Sequence, residues 1–273
     1  MAFPFQNCIV PPGDFSVPLA CEMLQYQHGM ACILIDLQSL EAEIQGMGGE
    51  KIAVRYLSSL EQEAFSRFSS GKRQREWLGG RFAARSAAAA VLGQCVNALP
   101  WSDLAVAADE NGRPFLAAAK INTGLPDISI SHSGNLAAAM AVSKGLCGLD
   151  LQKVGPRVVK VRERFCSTAE EHIVHSFFSA PHEKQDVILT KLWAAKEALR
   201  KVANTASLPG FLELELTAIT ENRSPGTFSH WLFTFIRQDL DTNGNPVPEN
   251  CSVAVSLIAD YALALTTRND KVG

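Results

Sequence analysis

The feature that most restricts the fold of this chain is an internal repeat, because two related halves can fold as two similar units. Residues 33–38 read ILIDLQ and residues 148–152 read GLDLQ, and both resemble short buried strands that carry one acidic residue. Each is followed by an apolar-periodic segment, at 57–68 and at 165–178, that we predict to be a helix. Each helix is expected to open with a capping box, in which a serine lies three residues before a glutamine or glutamate. The two pairs are Ser59 with Gln62 and Ser167 with Glu170.

Two stronger helical patterns continue the repeat, at residues 76–93 and 192–203, and they align on Trp77 and Trp193. The acidic residue of each strand precedes its tryptophan by a similar distance, 41 residues in the first half and 43 in the second. Each half then ends in strand-like runs, DLAVAADENGRPFL and ISISHSGNLAAAMAV in the first and WLFTFIRQDL and VAVSLIADYALAL in the second. The stretches D-E-N-G at 109–112 and D-T-N-G-N at 241–245 are turn signals, and the first predicts a hairpin loop.

We therefore predict an α+β fold made of two similar lobes related by a pseudo-twofold. The predicted lobes are residues 1–145 and 146–273, with the ligand site expected at the lobe interface. The alternative is that any two α+β lobes share short sequence words of this kind by chance.

Composition excludes several classes of protein. The formal net charge of −3 gives no support for binding through diffuse basic charge, as on nucleic acid or an anionic membrane. The seven cysteines are odd in number and form no C-x-x-C motif, so the sequence suggests neither a zinc site nor a disulfide framework. The first residues lack the basic region of a signal peptide, and the most apolar stretch, 253–265, is interrupted by Asp260 and is too short to span a bilayer. These features predict a cytoplasmic protein.

The second long helix has an unusual polar face. On a wheel of about 100° per residue, Lys196, Glu197, Arg200 and Lys201 surround Trp193, opposite an ordinary apolar stripe. A tryptophan in the middle of a charged face would be odd if that face only met water. The alternative is an exposed Glu197–Lys201 pair at i,i+4 that contributes about 0.3–0.5 kcal/mol, with Trp193 covered by chance.

The first half does not repeat this acidic chemistry. When the tryptophans are aligned, Arg81 takes the place of Glu197 and Arg85 that of Lys201. An arginine at this position would repel a cation. If Asp150 and Glu197 hold a cation, Asp36 and Arg81 cannot, and the repeat predicts one active site.

Four local motifs, in this order and at this separation, resemble those of the larger, two-lobed type of the 4′-phosphopantetheinyl transferase superfamily. GLDLQ at 148–152 is similar to its Gly-x-Asp-x-Glu strand, and LWAAKEALRK at 192–201 to its Trp-x-x-Lys-Glu-Ala helix. ISISHSG at 128–134 is similar to its Ser-His-Ser strand, and NGRPFL at 111–116 to its Gly-Lys/Arg-Pro turn. FCSTAEE also fits the Phe-Ser-x-x-Glu segment between the two acidic motifs.

The resemblance implies a transferase that moves phosphopantetheine from coenzyme A to a serine of an apo acyl, polyketide or peptidyl carrier protein and releases 3′,5′-ADP. Mg²⁺ prefers hard oxygen ligands, usually one or two carboxylates with phosphate oxygens and water. The implied ligands are Asp150 and Glu197, with Gln152 as a neutral oxygen donor where many members have an acid. Glu197 is also the implied base for the serine hydroxyl, and Lys201 would face the diphosphate.

The resemblance also implies which residues bind coenzyme A. Ser131 and His132 are expected to bind a phosphate. Because neighbouring residues of a strand point to opposite faces, a direct Ser–His nucleophile is disfavoured, and a satisfied core histidine is the other alternative. Arg113 is expected at the nucleotide from its turn, or else as an ordinary exposed arginine. Family members place cations just before the first long helix, and we expect Arg75 first and then Lys72, against a solvated basic face.

We expect a monomer, since the repeat places a dimer-like interface within one chain. The competing hypotheses are a module that binds coenzyme A or a carrier without turnover, and a metal-dependent phosphodiester hydrolase. Modification of an apo carrier would separate the first from transfer, and coenzyme A breakdown without a carrier would indicate the second.

Overall fold

The chain was analysed as a computed structural model, which describes residues 5–10, 20, 23–25, 29–93, 99–118, 121, 124–178, 183–203, 208–222, 230–240 and 246–269. The chain divides into two compact units, one consisting mainly of Gln27–Cys147 and the other mainly of Gly148–Thr267. The observed division therefore falls two residues after the end of the first predicted lobe. Both units combine helices with antiparallel strands, so the α+β class is confirmed.

Unit 1 contains four helices and five strands within the part of the chain that is described. The elements are β1 (Met30–Asp36), α1 (Leu37–Met47), α2 (Gly49–Tyr56), α3 (Ser59–Ser66), α4 (Gly71–Leu92), β2 (Ala105–Ala108), β3 (Pro114–Ala117), β4 (Asp127–Ser133) and β5 (Leu136–Val142).

Unit 2 begins within strand β6 and adds three helices and four further strands among its described residues. They are β6 (Leu146–Lys153), α5 (Arg157–Lys160), α6 (Thr168–Phe177), α7 (Gln185–Lys201), β7 (Glu215–Asn222), β8 (His230–Leu240), β9 (Pro246–Ile258) and β10 (Tyr261–Arg268).

The strand order is the same in the two units. Unit 2 forms one sheet of order β6-β10-β9-β8-β7. Unit 1 forms a sheet of order β1-β5-β4 and a separate ladder of β2 with β3, so its strands follow the same order with a break between β4 and β3. This correspondence supports the sequence repeat.

A buried glutamate at the start of α3 and of α6 extends the correspondence to side chains. The capping box of α6 is Ser167 with Glu170, as predicted. That of α3 is Ser58 with Glu61, so the predicted Ser59–Gln62 pair was wrong by one residue. The register is set by Glu61, whose buried carboxylate pairs with Arg85 and accepts a hydrogen bond from the Val106 amide at 3.1 Å.

Glu170 has partners of the same kind in unit 2, although its cation occupies a different position of the long helix. Its carboxylate lies 2.6 Å from Nζ of buried Lys196 and accepts a hydrogen bond from the Leu216 amide at 2.9 Å. In both units the glutamate joins a short helix, a long helix and the first residues of the next strand. The repeat therefore conserves a polar junction that a reading of apolar periodicity does not detect.

Helix α4 packs closely on the sheet of unit 1 because two glycines face it. A Cβ on Gly79 would lie 2.4 Å from Leu37 and 3.1 Å from the methyl of Ala137, and one on Gly80 would lie 2.8 Å from Ile130. Every residue of β5, LAAAMAV, is buried between β1 and β4. Small side chains on both surfaces thus allow a close helix–sheet contact.

Gly148 has the same role for α7 in unit 2. A Cβ at this position would lie 2.1 Å from the carbonyl oxygen of Ala198 and 3.0 Å from Val202. The glycine of the GLDLQ motif is therefore needed so that the helix carrying Glu197 can lie against the strand carrying Asp150.

Of the two predicted turns, the first lies within the described residues. Residues 109–112 form the predicted hairpin between β2 and β3, where the Asp109 carboxylate accepts hydrogen bonds from the amides of Asn111 and Arg113. Residues 241–245 lie outside the described residues, although β8 and β9 pair on either side of them.

The predicted strand at 33–38 ends earlier, at Asp36, because Asp36 caps α1 by accepting a hydrogen bond from the Ser39 amide at 2.7 Å. The two long helices begin earlier than the apolar pattern predicts, at Gly71 and Gln185. The first turn of α4 is polar, whereas the additional segment of α7 carries buried apolar residues, Ile188 and Leu189.

Candidate functional site

Strand β6 presents Asp150 as a largely buried carboxylate in unit 2. Its side chain is 10% exposed, and its Oδ1 accepts a hydrogen bond from Lys201 Nζ at 3.0 Å. The same ammonium donates to the carbonyl oxygen of Leu149 at 2.7 Å. Gln152 is two residues further along the strand, so its side chain lies on the same face as Asp150.

Helix α7 places Glu197 close to this aspartate. The pKa of Glu197 is raised by burial and, next, by the negative charge of Asp150, while Arg200 and Lys201 lower it. The two carboxylates thus repel each other in a partly dehydrated setting, which a bound cation would relieve. Lys201 supplies one positive charge there, through its ion pair with Asp150.

The donor set fits a hard divalent cation that is also ligated by a substrate. Two carboxylates and the amide oxygen of Gln152 are the oxygen ligands that Mg²⁺ accepts, and Mg²⁺ usually completes its shell with water and phosphate oxygens. Within the described part of the chain, no group of three or more His, Cys, Asp or Glu could hold a metal ion. Asp150 and Glu197 interact electrostatically, and the assignment of Asp150, Glu197 and Gln152 as metal ligands stays a prediction.

The polar face of α7 is largely covered by protein. Lys196 is fully buried, and besides pairing with Glu170 it donates to the carbonyl oxygen of Phe211 at 3.0 Å. Trp193 stacks on the Phe211 ring at a centroid distance of 4.8 Å and meets Phe165 edge-on at 5.0 Å. The exposed Glu197–Lys201 pair is thus the weaker interpretation, because the residues around Trp193 pack against a turn and against β6.

Unit 1 has a cavity of about 400 Å³ beside the second turn of α4. Its lining mixes aromatic and cationic side chains, namely Phe68, Arg73, Glu76, Trp77, Gly80, Arg81, Ile130 and His132. The guanidinium of Arg81 lies over the Trp77 ring, 3.4 Å from its centroid. Such a cavity has the composition of a site for an anion attached to an aromatic group.

The predicted coenzyme A residues have different surroundings. His132 lines the cavity, with its Nδ1 3.9 Å from Glu76, and neighbouring Ser131 points to the other face of β4. Lys72 is exposed and lies 3.7 Å from Glu76, while the guanidinium of Arg75 pairs with Glu41. Their roles in binding coenzyme A stay predictions.

Arg113 belongs to a polar network within unit 1. Its guanidinium donates to the Asp127 carboxylate at 2.5 Å and to the carbonyl oxygen of Cys147 at 3.3 Å. Asp127 also accepts a hydrogen bond from the Cys147 amide at 2.7 Å. Arg113 therefore joins the hairpin to the starts of β4 and β6, whatever its role toward a nucleotide.

Sequence reasoning preferred Arg75 and Lys72 over Arg73 in the basic stretch before the first long helix, and it did not place Arg73 and Arg81 in one cavity. Arg73, Trp77 and Arg81 are spaced by four residues and share one face of α4. The spacing of four residues was the sequence signal that could have grouped these side chains, although it indicates a shared helix face and not a cavity. Burial lowers the pKa of Arg81 to about 10, with Glu61, 3.7 Å away, opposing that shift.

The first half has no counterpart of the acidic pair within its described residues. Asp36, the equivalent of Asp150, is engaged in capping α1. Arg81, the equivalent of Glu197, lies between the Trp77 ring and Glu61. These placements support the prediction of a single carboxylate site.

Comparison with known proteins gives relatives for the second half of the chain. A family model described as the 4′-phosphopantetheinyl transferase superfamily matches residues 146–265. The chain is 35% identical over 109 residues to a holo-[acyl-carrier-protein] synthase of Streptococcus agalactiae, which is 40% of this chain and 91% of that protein. It is 31% identical over 115 residues to the holo-[acyl-carrier-protein] synthase of Bacillus subtilis, which is 41% of this chain and 93% of that one.

A solved structure of a holo-(acyl-carrier-protein) synthase from Bacillus anthracis in complex with CoA (3′,5′-ADP) is 28% identical, covers 42% of this chain and 93% of that one, and has a TM-score of 0.37. The residues matched by the family model include Asp150, Glu197 and Lys201, and the relatives identify the activity class as phosphopantetheinyl transfer. Because a relative that is 35% identical is covered over 91% of its length, the chain belongs to the 4′-phosphopantetheinyl transferase superfamily.

Proposed function

We propose that this enzyme transfers 4′-phosphopantetheine from coenzyme A to the serine hydroxyl of an apo carrier protein and releases 3′,5′-ADP. The observation that carries the proposal is the joint placement of two repelling carboxylates, Asp150 and Glu197, with the Lys201 ammonium bound to one of them. Support for the substrates comes from the relatives, which are named as synthases of holo-acyl-carrier protein, one of them in complex with CoA (3′,5′-ADP).

Asp150, Glu197 and Gln152 would hold Mg²⁺ in this reaction. When bound, the ion neutralises negative charge on the diphosphate of coenzyme A during transfer. Support comes from the oxygen chemistry of the three side chains and from their positions on β6 and α7.

Glu197 is proposed as the base. The serine oxygen forms a bond to the phosphorus that bears pantetheine, and the bond from that phosphorus to the bridging oxygen breaks. The serine proton passes to the Glu197 carboxylate directly or through a water, and the bond electrons leave with 3′,5′-ADP. In the metal-free protein, burial and then the neighbouring Asp150 raise the pKa of Glu197.

Lys201 is proposed to offset the charge that develops on the departing phosphate. Its ammonium is fixed by the Leu149 carbonyl and by Asp150, so it needs little reorganisation during the reaction. In unit 1, the cavity beside α4, which His132 lines, is proposed to bind the 3′-phosphoadenosine part of coenzyme A. Ser131, Lys72, Arg75 and Arg113 lie outside the lining of this cavity, and they are proposed as further coenzyme A contacts on the sequence resemblance alone.

Intact-mass measurement on a panel of apo carriers from fatty-acid, polyketide and peptide synthetases tests the proposal. Incubation with coenzyme A and Mg²⁺ should add the mass of one phosphopantetheine to at least one carrier, and removal of Mg²⁺ with a chelator should stop the reaction. Binding of coenzyme A without any mass gain would favour a non-catalytic binding module. Coenzyme A cleavage in the absence of a carrier would indicate a hydrolase.

The cytoplasmic location and the monomeric state are proposed on the sequence alone. No helix in the described ranges has the length and apolar character needed to cross a bilayer.

A further inference from the structure

The turn that follows α7 is held against that helix by three side chains on one helical face. Trp193 stacks on Phe211, Lys196 donates to the Phe211 carbonyl at 3.0 Å, and Arg200 donates through Nε to the Pro209 carbonyl at 2.9 Å. Their spacing of i, i+3 and i+7 places all three along the same stripe. Residues 209–211 are thus attached to the helix by stacking and by hydrogen bonds.

Arg200 has a partner on its other side as well. Its guanidinium carbon lies 4.4 Å above the Phe211 ring, and its NH1 lies 3.5 Å from Oε2 of Glu197. Both side chains of this ion pair are mostly buried, at 22% and 24% exposure. A planar guanidinium whose Nε and face are already engaged can present NH1 in few directions. The carboxylate that it contacts is restrained accordingly.

We propose that Arg200 is a positioning residue that orients the Glu197 carboxylate, with the turn at 209–211 as its anchor. The inference rests on the proposed function, in which Glu197 accepts the serine proton. Proton transfer requires the base within hydrogen-bond reach of the hydroxyl, and a displacement of about 1 Å can cost up to a hundredfold in rate. Arg200 would therefore act on turnover through Glu197 and would not touch the substrate.

Two substitutions of Arg200 separate charge from orientation. Arg200→Met keeps a long side chain but removes the ion pair and the hydrogen bond to Pro209, and we expect kcat to fall about tenfold with the KM for coenzyme A within about twofold. Arg200→Lys retains the charge but cannot engage the carbonyl and the carboxylate with one rigid fork. It should give an intermediate kcat.

A variant of Phe211 tests whether the turn at 209–211 holds Arg200 in place, and a variant of Arg67 is the control. Phe211→Leu removes the ring beneath the guanidinium, so kcat should fall by less than in Arg200→Met, and the double variant should be no slower than Arg200→Met because both changes act through one tether. Arg67→Met removes an exposed i,i+4 ion pair with Glu63 on α3 and should leave kcat unchanged.

The possible outcomes are distinct. A higher KM with an unchanged kcat in Arg200→Met would assign Arg200 to substrate binding and overturn the inference. The same holds for a lower melting temperature with an unchanged kcat per folded molecule, which would indicate a purely structural role.

A readout independent of activity is the exchange of the Arg200 Nε–H with water, followed by NMR with Arg200→Lys used for assignment. Slow exchange in the wild type and faster exchange in Phe211→Leu are expected from the hydrogen bond and the ring. Fast exchange in the wild type would contradict the hydrogen bond from Arg200 Nε to the Pro209 carbonyl, and with it the inference, even if the enzyme were active. Failure of the wild type to modify any carrier would instead contradict the proposed function.

Discussion

At the scale of single residues, the equivalent aspartates Asp36 and Asp150 have different partners. Asp36 accepts a hydrogen bond from the Ser39 amide at the start of α1. Asp150 accepts one from the Lys201 ammonium and raises the pKa of Glu197. One aspartate thus supports local helix structure, and the other contributes to an electrostatic cluster.

Substitution of the two aspartates should therefore have unequal effects. We expect Asp150→Asn to lower the transfer rate by about a hundredfold or more and to raise the Mg²⁺ concentration required, because one of the two proposed charged ligands is lost. Asp36→Asn should retain the transfer rate, since asparagine and aspartate are about equally good helix caps. Rates measured against Mg²⁺ concentration check both, and equal losses at the two positions would contradict the single-site assignment.

Glu197→Gln removes the proposed base without changing the size of the side chain. We expect the transfer rate to fall by about a hundredfold or more, while the circular dichroism spectrum and melting temperature stay close to those of the wild type. Intact-mass kinetics on one apo carrier measure the rate. A wild-type rate in Glu197→Gln would remove this residue from the mechanism.

Lys191 of α7 is a second buried cation, away from the proposed chemistry. Its ammonium pairs with Glu183 and lies 3.5 Å from the Trp231 ring centroid and 4.2 Å from that of Phe178. Burial lowers its pKa from 10.5 to about 8, although Glu183 opposes the shift. The folded protein therefore binds this proton less tightly than the unfolded chain does.

The sign of the resulting pH dependence follows from proton linkage. Between about pH 8 and pH 10.5 the unfolded chain holds more of this proton than the folded protein, so Lys191 makes the free energy of unfolding rise with pH in that window. We expect Lys191→Met to lose this rise, so that its stability relative to the wild type is greatest at pH 7 and declines toward pH 10. Urea unfolding at several pH values measures the difference, and a constant difference would contradict the lowered pKa.

At the scale of elements, the contact of α7 with β6 depends on the absence of a side chain at Gly148. A Cβ there would lie 2.1 Å from the Ala198 carbonyl oxygen, which forces helix and strand apart. We expect Gly148→Ala to lower the free energy of unfolding by about 2–3 kcal/mol and to reduce transfer, since Asp150 and Glu197 are on the separated elements.

Gly155→Ala is the matched control for Gly148→Ala. A Cβ at Gly155 meets nothing within 4 Å, so Gly155→Ala should have almost no effect on stability. Urea denaturation of both variants checks the pair. An unchanged midpoint in Gly148→Ala would mean that α7 and β6 can adapt to an added methyl group.

Elements with a strong apolar period could be predicted from the sequence, whereas their polar junctions could not. The tryptophan-aligned helices and the β2–β3 hairpin follow from local patterns. The capping box of α3 was misplaced by one residue because two serines are adjacent, and the choice of Ser58 depends on where Glu61 meets Arg85 in the fold.

The acidic pair of the candidate site could likewise be predicted from the sequence, whereas the cationic side chains could not be placed. Asp150 and Glu197 follow from the sequence resemblance, and the structure places them close together. The cavity lining of Arg73 and Arg81 and the tether of Arg200 to Pro209 depend on tertiary contacts that no local pattern contains.

At the scale of the whole molecule, the repeat appears as the same strand order in both units, interrupted in unit 1 between β4 and β3, and as two buried glutamates with the same role. Glu61 and Glu170 each close a capping box, pair with a cation of the long helix and accept a hydrogen bond from the following strand. The family model, in contrast, matches only residues 146–265. The architecture of the repeat is thus shared by both units, whereas the proposed catalytic side chains belong to unit 2.

Because Glu61 and Glu170 have corresponding roles, we expect their replacement to lower the free energy of unfolding by similar amounts. Glu61→Ala and Glu170→Ala should each lower the free energy of unfolding by about 3–5 kcal/mol, because each leaves a buried cation without its partner. Glu63→Ala, which removes an exposed glutamate of α3, should cost less than about 1 kcal/mol. Denaturant unfolding of the three variants compares them, and a small cost at either buried position would mean that its cation finds water or another acceptor.

The contact of Arg81 with Glu61 makes the divergence of the two halves hard to reverse. Introducing a glutamate at position 81 would place a second acid beside Glu61, with Arg85 as the neighbouring arginine, in a dehydrated environment. Asp36 would still cap α1. A single Arg81→Glu substitution would therefore destabilise unit 1 without creating a second pair of carboxylates that is able to share a cation.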